Sequence, residues 1–226
     1  MTAHPLDNPI WESLTSRHAS LALRHGQAAR YPADIAPFLG LASPDIDAGA
    51  SLDALVPRGD TAFLLGQAPA QPRGWRLRQL AMLAQRVCTV PLAEVDGPPL
   101  VELADRHRAD VLALTARVYP HYFRPRTMEL GRYFGIYRDG QLAAMIGERM
   151  GLPGYTEISA VCTHPDFLGL GYARRLLAWL SNDNLGRGAV PFLHVSQENQ
   201  RASELYERNG YPMRCEIAFW SIERLA

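Results

Sequence analysis

The sequence predicts an α/β (α+β) chain built on a mixed sheet, and three patterns in its second half predict it. A β-branched run, Ile158 to Thr163, passes through His164-Pro165 into Gly169-Leu170-Gly171 and then into a helical pattern. Asp139-Gly140 separates two strand-like runs, a strong two-residue hairpin signal. From there strand and helix patterns alternate to the end, so this half reads β-hairpin, β, α, β, α, β.

In chain order, Asn8-Pro9 opens the first element. Proline suits a first helical turn and Asn8 its cap. Ile10, Leu14, His18, Leu21 and Leu23 then fall near one helical face, and Gly26 is the expected stop. Residues 31–58 are rich in Pro, Gly, Ala and Asp and read as loops with short turns. Thr61 to Leu65 has strand length, and Trp75 to Val90 holds one or two strands. Pro and Gly dominate again at Leu92 to Pro99, the best candidate for a boundary between two halves. The expected organisation is therefore 1–95 and 96–226.

The second half is more sharply patterned. Asp105 to Val118 reads as a helix with Val111, Leu112, Leu114 and Val118 inward. Residues 119–123 break it, and a turn of helix follows from Thr127 to Gly131. Tyr133 to Tyr137, Gln141 to Met150 and Tyr155 to Thr163 form a three-stranded meander. Tyr172 to Leu185 is helical, Val190 to Val195 is a buried strand, and Asn199 to Asn209 is a helix closed by Gly210. The chain is strand-like from Tyr211 onward.

Composition narrows the partners. The chain has 226 residues, 47% of them hydrophobic, enough for one large or two small cores. Lys+Arg and Asp+Glu stand at 23 each, so bulk charge points to neither nucleic acid nor an anionic membrane as partner. Cys88, Cys162 and Cys215 are far apart, without metal-ligand spacing or a disulfide framework. No HxxE, CxxC or acidic cluster suggests a metal. No apolar run approaches the roughly 20 residues needed to cross a bilayer, and the N-terminus does not read as a signal peptide. The expectation is a cytoplasmic protein.

The strand–turn–helix of 157–180 is a natural seat for a pyrophosphate. Gly169 and Gly171 let the backbone approach closely, and the N–H groups of Gly169, Leu170, Gly171, Tyr172 and Ala173 meet the positive end of a helix dipole. Arg174 and Arg175 begin the helix within reach of phosphate oxygens. Such a turn alone also serves merely to connect strand to helix.

Residues from about 100 to the end resemble the GCN5-related N-acetyltransferase (GNAT) superfamily, in its FR47-like branch. CTHPDFLGLGYARRLL at 162–177 is similar to the family's acetyl-CoA loop, Q/R-x-x-G-x-G/A. The strand Val190 to Val195, followed by Asn199, Ala202, Leu205, Tyr206, Gly210 and Tyr211, is similar to its N-x-x-A-x-x-L-Y-x-x-x-G-F/Y block. The third feature is a meander ending in Gly147 to Met150 and Glu157 to Val161. One position departs: the family's loop opens with Arg or Gln where this chain has Leu168. Backbone N–H groups would then carry the binding, with Arg174 or Arg175 as compensating side chains.

The resemblance implies the GNAT fold, a mixed central sheet with splayed strands flanked by helices. A smaller N-terminal α/β region would precede it, a candidate for a degenerate copy of the same fold. It implies acetyl-CoA as co-substrate, no metal, and an amine on a small molecule or peptide as acceptor. Val161, Cys162 and Thr163 would pair through their backbone with the pantetheine arm. Asn199 would bond near it, and Tyr206, seven residues on and so on the same helical face, would protonate the leaving thiolate. Glu157 and Glu148 are the candidate bases. In a regular strand Glu157 shares a face with Ser159 and Val161. His194, in the apolar run FLHV, is either a base or acceptor contact or a satisfied core histidine. His121 and Tyr122 lie on a loop expected to border the acceptor pocket. The N-terminal half is expected to shape that pocket or to supply a homodimer interface. The alternative function is a non-catalytic acyl-CoA-binding or sensor module. A nucleotide-binding α/β protein is disfavoured, because a meander precedes the Gly loop.

Overall fold

The structure, a computed structural model, describes residues 4–118, 120 and 122–225. A 3-10 turn at Pro5–Asp7 leads into α1 (Pro9–Thr15), with proline in the first turn. This helix is shorter than its apolar spacing predicts. The Thr15 hydroxyl donates to the Trp11 carbonyl and Ser16 to that of Glu12, local bonds that compete with helix continuation. His18 instead turns inward, its ring 3.1 Å from Ser13 Oγ and 2.9 Å from the Tyr31 hydroxyl. Gly26, expected to stop a helix, turns a hairpin between β1 (Leu23–His25) and β2 (Ala28–Arg30). The stretch expected to be loops holds β3 (Leu39–Leu41) and α2 (Gly49–Leu55). These two are short, and their apolar residues are buried against β4 (Thr61–Leu65), β5 (Trp75–Val87) and the C-terminal strand.

The second half follows its pattern closely. β6 (Val101–Leu103) precedes α3 (Arg108–Val118). β7 (Tyr133–Arg138) and β8 (Gln141–Leu152) form the expected hairpin, with Asp139 at φ 51° and Gly140 at φ 78°, as a type I′ turn requires. Then come β9 (Tyr155–Thr163), α4 (Tyr172–Gly186), β10 (Val190–Ser196), α5 (Gln200–Arg208) and β11 (Met213–Arg224).

Eight strands make one sheet in the order β4-β11-β5-β10-β9-β8-β7-β6, with β1, β2 and β3 in a separate three-stranded sheet. Among the described residues β9 and β10 are the one parallel pair of this sheet; the other six neighbouring pairs are antiparallel. The large sheet crosses the 95/96 line drawn from the sequence, because β5 lies between β10 and β11.

Helices cover both faces. On one, Leu176, Leu177 and Leu180 of α4 meet Phe134, Ile136, Ile146 and Ile158. On the other, Val111 and Leu114 of α3 meet Tyr133, Met145 and Cys162, while Ile10 and Leu14 of α1 meet Met150, Leu152 and Phe192. Fully burying each such leucine or isoleucine contributes about 1.5–3 kcal/mol, so these faces fix the sheet that carries the site. Among the described residues no helix is long and apolar enough to cross a membrane.

Candidate active site

β9 and β10 run side by side only from Tyr155/Val190 to Glu157/Phe192. Beyond that, β10 is held by β5, from Phe192 opposite Val87 to Ser196 opposite Leu83. β9 remains with β8 but carries a bulge: the register shifts between Met145 and Gly147, opposite Ala160 at φ 49°. A left-handed conformation at a non-glycine residue costs about 1–2 kcal/mol, and bulges bend the strand that carries them. The two strands part, and a cleft opens between them.

The bulge also changes which side chains share a face. Regular alternation would put Glu157, Ser159 and Val161 together. Instead Val161 packs with Ile158 in the α4 core, and Ala160 and Cys162 both join the α3 core. Val161 therefore lies on the face opposite Glu157. The run Ile158 to Thr163 lines the cleft without interruption.

The cleft has two chambers, of about 480 and 730 Å³, which share Val161, Thr163, Asn199, Ala202 and Tyr206. The outer chamber is the Gly-loop end. Leu168, Gly169, Gly171, Tyr172, Ala173 and Arg174 line it. Leu170 is 56% exposed and not on that wall. Gly169 and Gly171 adopt φ of 82° and 75°, and a Cβ at either would meet nothing within 4 Å. Backbone conformation, not crowding, is what calls for glycine here. Gly171 is the N-cap of α4 and offers no side-chain bond to the first turn, leaving its N–H groups open.

Other arginines stand at the Gly-loop end in place of the one that Leu168 does not provide. Arg174 lines the outer chamber, as do Arg201 and Arg208 of α5, the last paired at 3.2 Å with Glu204 of the same wall. Arg175 does not: its Nε donates to the Pro98 carbonyl at 2.9 Å and its Nη1 to that of Val95, so it staples the 92–99 segment to α4. Open helix amides beside three guanidinium groups fit a pyrophosphate, as CoA carries. Arg201 and Arg208 were not singled out from the sequence, yet they are seven residues apart, the same spacing that joins Asn199 to Tyr206.

At the junction of the chambers Asn199 caps α5, its side-chain oxygen accepting from the Ala202 N–H at 3.1 Å. Tyr206 is 8% exposed and lines both chambers. Cys162 contributes backbone to the cleft; its thiol lies in the α3 core, where burial pushes its pKa up to about 12.

The inner chamber is walled by polar and apolar surface in nearly equal parts. Phe38, Leu65, Leu80, Leu83 and Phe219 line it beside Tyr122, Arg149, Ser159 and His194. Most of these apolar residues come from the N-terminal half. His121 lies outside the described residues.

Neither carboxylate offered as a base is on the cleft wall. Glu157 is fully buried and accepts two hydrogen bonds of 2.6 Å from Arg149, Nε to Oε2 and Nη2 to Oε1. His194 Nδ1 lies 2.7 Å from its Oε1. Burial alone would raise the Glu157 pKa, but the Arg149 charge and these bonds outweigh it and hold the carboxyl at about 2. Glu148 projects to the opposite face, where Arg132 binds both its oxygens and also pairs with Asp183 of α4 at 2.6 Å.

His194 is held from both sides. The amide of Gln85 accepts from Arg214 at Oε1 and donates at Nε2 to the Leu6 carbonyl, which fixes its orientation. Its Nε2 therefore donates to His194 Nε2 at 3.0 Å, and His194 donates from Nδ1 to Glu157. The ring lines the inner chamber as one member of a chain from Arg149 to Arg214 that crosses β8, β9, β10, β5 and β11.

Among the described residues no group of three or more His, Cys, Asp or Glu could hold a metal ion.

A family profile described as FR47-like protein matches residues 133–220. A GNAT-family protein of known structure from Novosphingobium aromaticivorans is 33% identical, with TM-score 0.90 over 99% of this chain and 100% of that one. More distant is a GCN5-related N-acetyltransferase from Kribbella flavida, 16% identical, TM-score 0.62, covering 95% of each chain. A GCN5-related N-acetyltransferase-like protein from Streptococcus suis is 18% identical, TM-score 0.54, over 94% and 92%. A search of curated proteins returns no match. The likeness to the Novosphingobium protein spans both halves at once, including the strand that the N-terminal half lends to the sheet, and with it the chain belongs to the GNAT family.

Proposed function

We propose that the protein is an acetyl-CoA-dependent N-acetyltransferase, moving an acetyl group to an amine by direct attack while both substrates are bound. One observation carries this reading: a single cleft runs from a Gly-loop end lined by arginines, past Tyr206, into a second chamber large enough for another substrate.

Acetyl-CoA supplies an activated acetyl thioester. The open amides of α4 with Arg174, Arg201 and Arg208 would hold its pyrophosphate, and the unpaired inner edge of β9 its pantetheine arm. The bulge at Ala160 re-aims backbone groups of β9 into the cleft, which suits polarisation of a carbonyl. Tyr206 would hold the proton that the departing sulfur takes. An amine buried in the inner chamber loses water around its charged form, and such burial lowers an ammonium's pKa, so the chamber itself would help the acceptor lose its proton. Placement of the two reactants would supply much of the rate.

A second reading, a non-catalytic acyl-CoA-binding module, draws support from one observation: the carboxylates of Glu157 and Glu148 are both taken by arginines. Calorimetric titration with acetyl-CoA, CoA, NAD and ATP, followed by CoA thiol release across an amine panel, separates the two. Binding of both CoA species with thiol release upholds the transferase. Binding without release across a broad panel favours the module, and no binding of either CoA species sinks both.

A further inference from the structure

A third cavity, of about 530 Å³, adjoins the inner chamber. Arg30, Asp60, Thr61, Phe63, Tyr122 and Arg124 are among its walls. Tyr122 lines both spaces. Its ring meets Phe63 edge-on at 5.5 Å and Phe219 at 5.8 Å, so the two cavities share an aromatic partition.

The charges around this cavity are incompletely matched. Arg30 is 2% exposed, its Nε donating to the Tyr31 carbonyl and its Nη1 to that of Leu55. Both partners are neutral. The carboxylate of Asp60 stands 3.7 Å from Nη1, beyond hydrogen-bond distance, and is itself 42% exposed. Burial lowers the Arg30 pKa, with Asp60 offsetting part of that effect. Across the cavity, Arg124 Nε is buried without a hydrogen-bond partner among the described residues. Arg30 is thus buried with only a long ion pair to Asp60, and Arg124, itself half-buried, holds one buried N–H without a partner; two such guanidinium groups around one hollow form a receptor for an oxyanion. Two guanidinium groups against one carboxylate leave a single positive charge, which a monoanion balances and a dianion exceeds.

We propose that this cavity is a subsite for a carboxylate on the acceptor. The acceptor then joins an amine in the inner chamber to a carboxylate held by Arg30 and Arg124, with an apolar segment passing the aromatic partition. The amine end rests on the acetyltransferase reading; the carboxylate end rests on the cavity alone.

The test uses matched ligands: 6-aminohexanoate, 8-aminooctanoate and 4-(aminomethyl)benzoate, each against its primary amide. Their affinities for the full chain are measured by calorimetry, and their KM and kcat by CoA thiol release. At least one carboxylate should bind ten-fold or more tightly than its amide, with the difference in KM and not kcat. Arg124→Gln should abolish that preference. Arg30→Gln should do the same if its melting temperature stays near wild type; because Arg30 is buried, Arg124→Gln is the deciding variant. Equal affinities across all three pairs, or a preference that survives in a normally folded Arg124→Gln protein, overturns the proposal. A phosphonate counterpart binding more tightly than the carboxylate overturns the assignment of a monoanion. Carboxylate-selective binding without acetyl transfer upholds the subsite and sinks the transferase reading. Transfer without selectivity does the reverse.

Discussion

Arg149 grips Glu157 through two hydrogen bonds of 2.6 Å at the point where β9 leaves β10. The pair ties β8 to β9, and His194 extends the tie to β10. Arg149 also lies over the Phe38 ring at 4.8 Å, so the same guanidinium anchors the N-terminal half to the rim of the cleft.

Glu157→Gln leaves the Arg149 charge without its anion. Removing one partner of a buried ion pair costs roughly 3–5 kcal/mol, and denaturant unfolding should register that loss. Glu157 has a folded pKa near 2 against an ordinary 4.5, so the unfolded chain binds more protons between those values. The stability it contributes is fully present above about pH 4.5 and is lost as pH falls toward 2. Urea midpoints measured from pH 5 downward should fall less steeply in the glutamine variant. An unchanged midpoint at pH 7 would refute the structural role.

Tyr206→Phe removes one hydroxyl from the junction of the two chambers. Loss of a general acid lowers rate on the order of 100- to 10,000-fold. Acetyl-CoA affinity should change little, so a kcat loss with near-normal binding is the expected signature. A variant with full thiol-release activity would show that the proton comes from elsewhere.

Arg174→Ala, Arg201→Ala and Arg208→Ala should each weaken CoA binding, by about 1.5–3 kcal/mol for a lost charge-assisted bond. The affinity should also fall with ionic strength. Arg175→Ala should instead lower thermal stability, because its bonds go to Val95 and Pro98. If calorimetry finds CoA affinity most sensitive at Arg175, the assignment of the cradle is wrong.

His18 sits in a buried cluster with Ser13 and Tyr31, and burial lowers its pKa to about 4. Its unfolded value is near 6.5, so the unfolded chain takes up the proton first. Stability should be full above about pH 6.5 and decline on the order of 3 kcal/mol as pH falls to 4. His18→Gln should flatten that part of the stability profile. An equally steep decline in the variant would place the titrating group elsewhere.

How much could be read from residues alone varied with how local the cause was. The Asp139-Gly140 hairpin, the Gly169–Gly171 turn and the stop of α5 at Gly210 depend on neighbours a few positions away. Their sequence patterns name them directly. The early helix was over-extended because Thr15, Ser16 and His18 find local or buried partners that apolar spacing does not reveal. Arg201 and Arg208 were legible in principle, by the seven-residue spacing that linked Asn199 to Tyr206. The fate of Glu157 was not, since it turned on one bulge at Ala160 and on an arginine across the sheet.

The chain's own order of patterns dictated an α/β fold, the Gly loop before α4, and the block that carries Asn199 and Tyr206. The first two follow from the short-range rules of period and turn chemistry; the block is named by its likeness to the family pattern. Tertiary structure alone decided that β5 enters between β10 and β11, that β9 and β10 part after Glu157, and that Phe38, Leu65 and Leu80 wall the inner chamber. Strand pairing across more than a hundred residues leaves no periodic trace in sequence. It is selected by the combined burial of both sheet faces, a property of the assembled fold and not of any one segment.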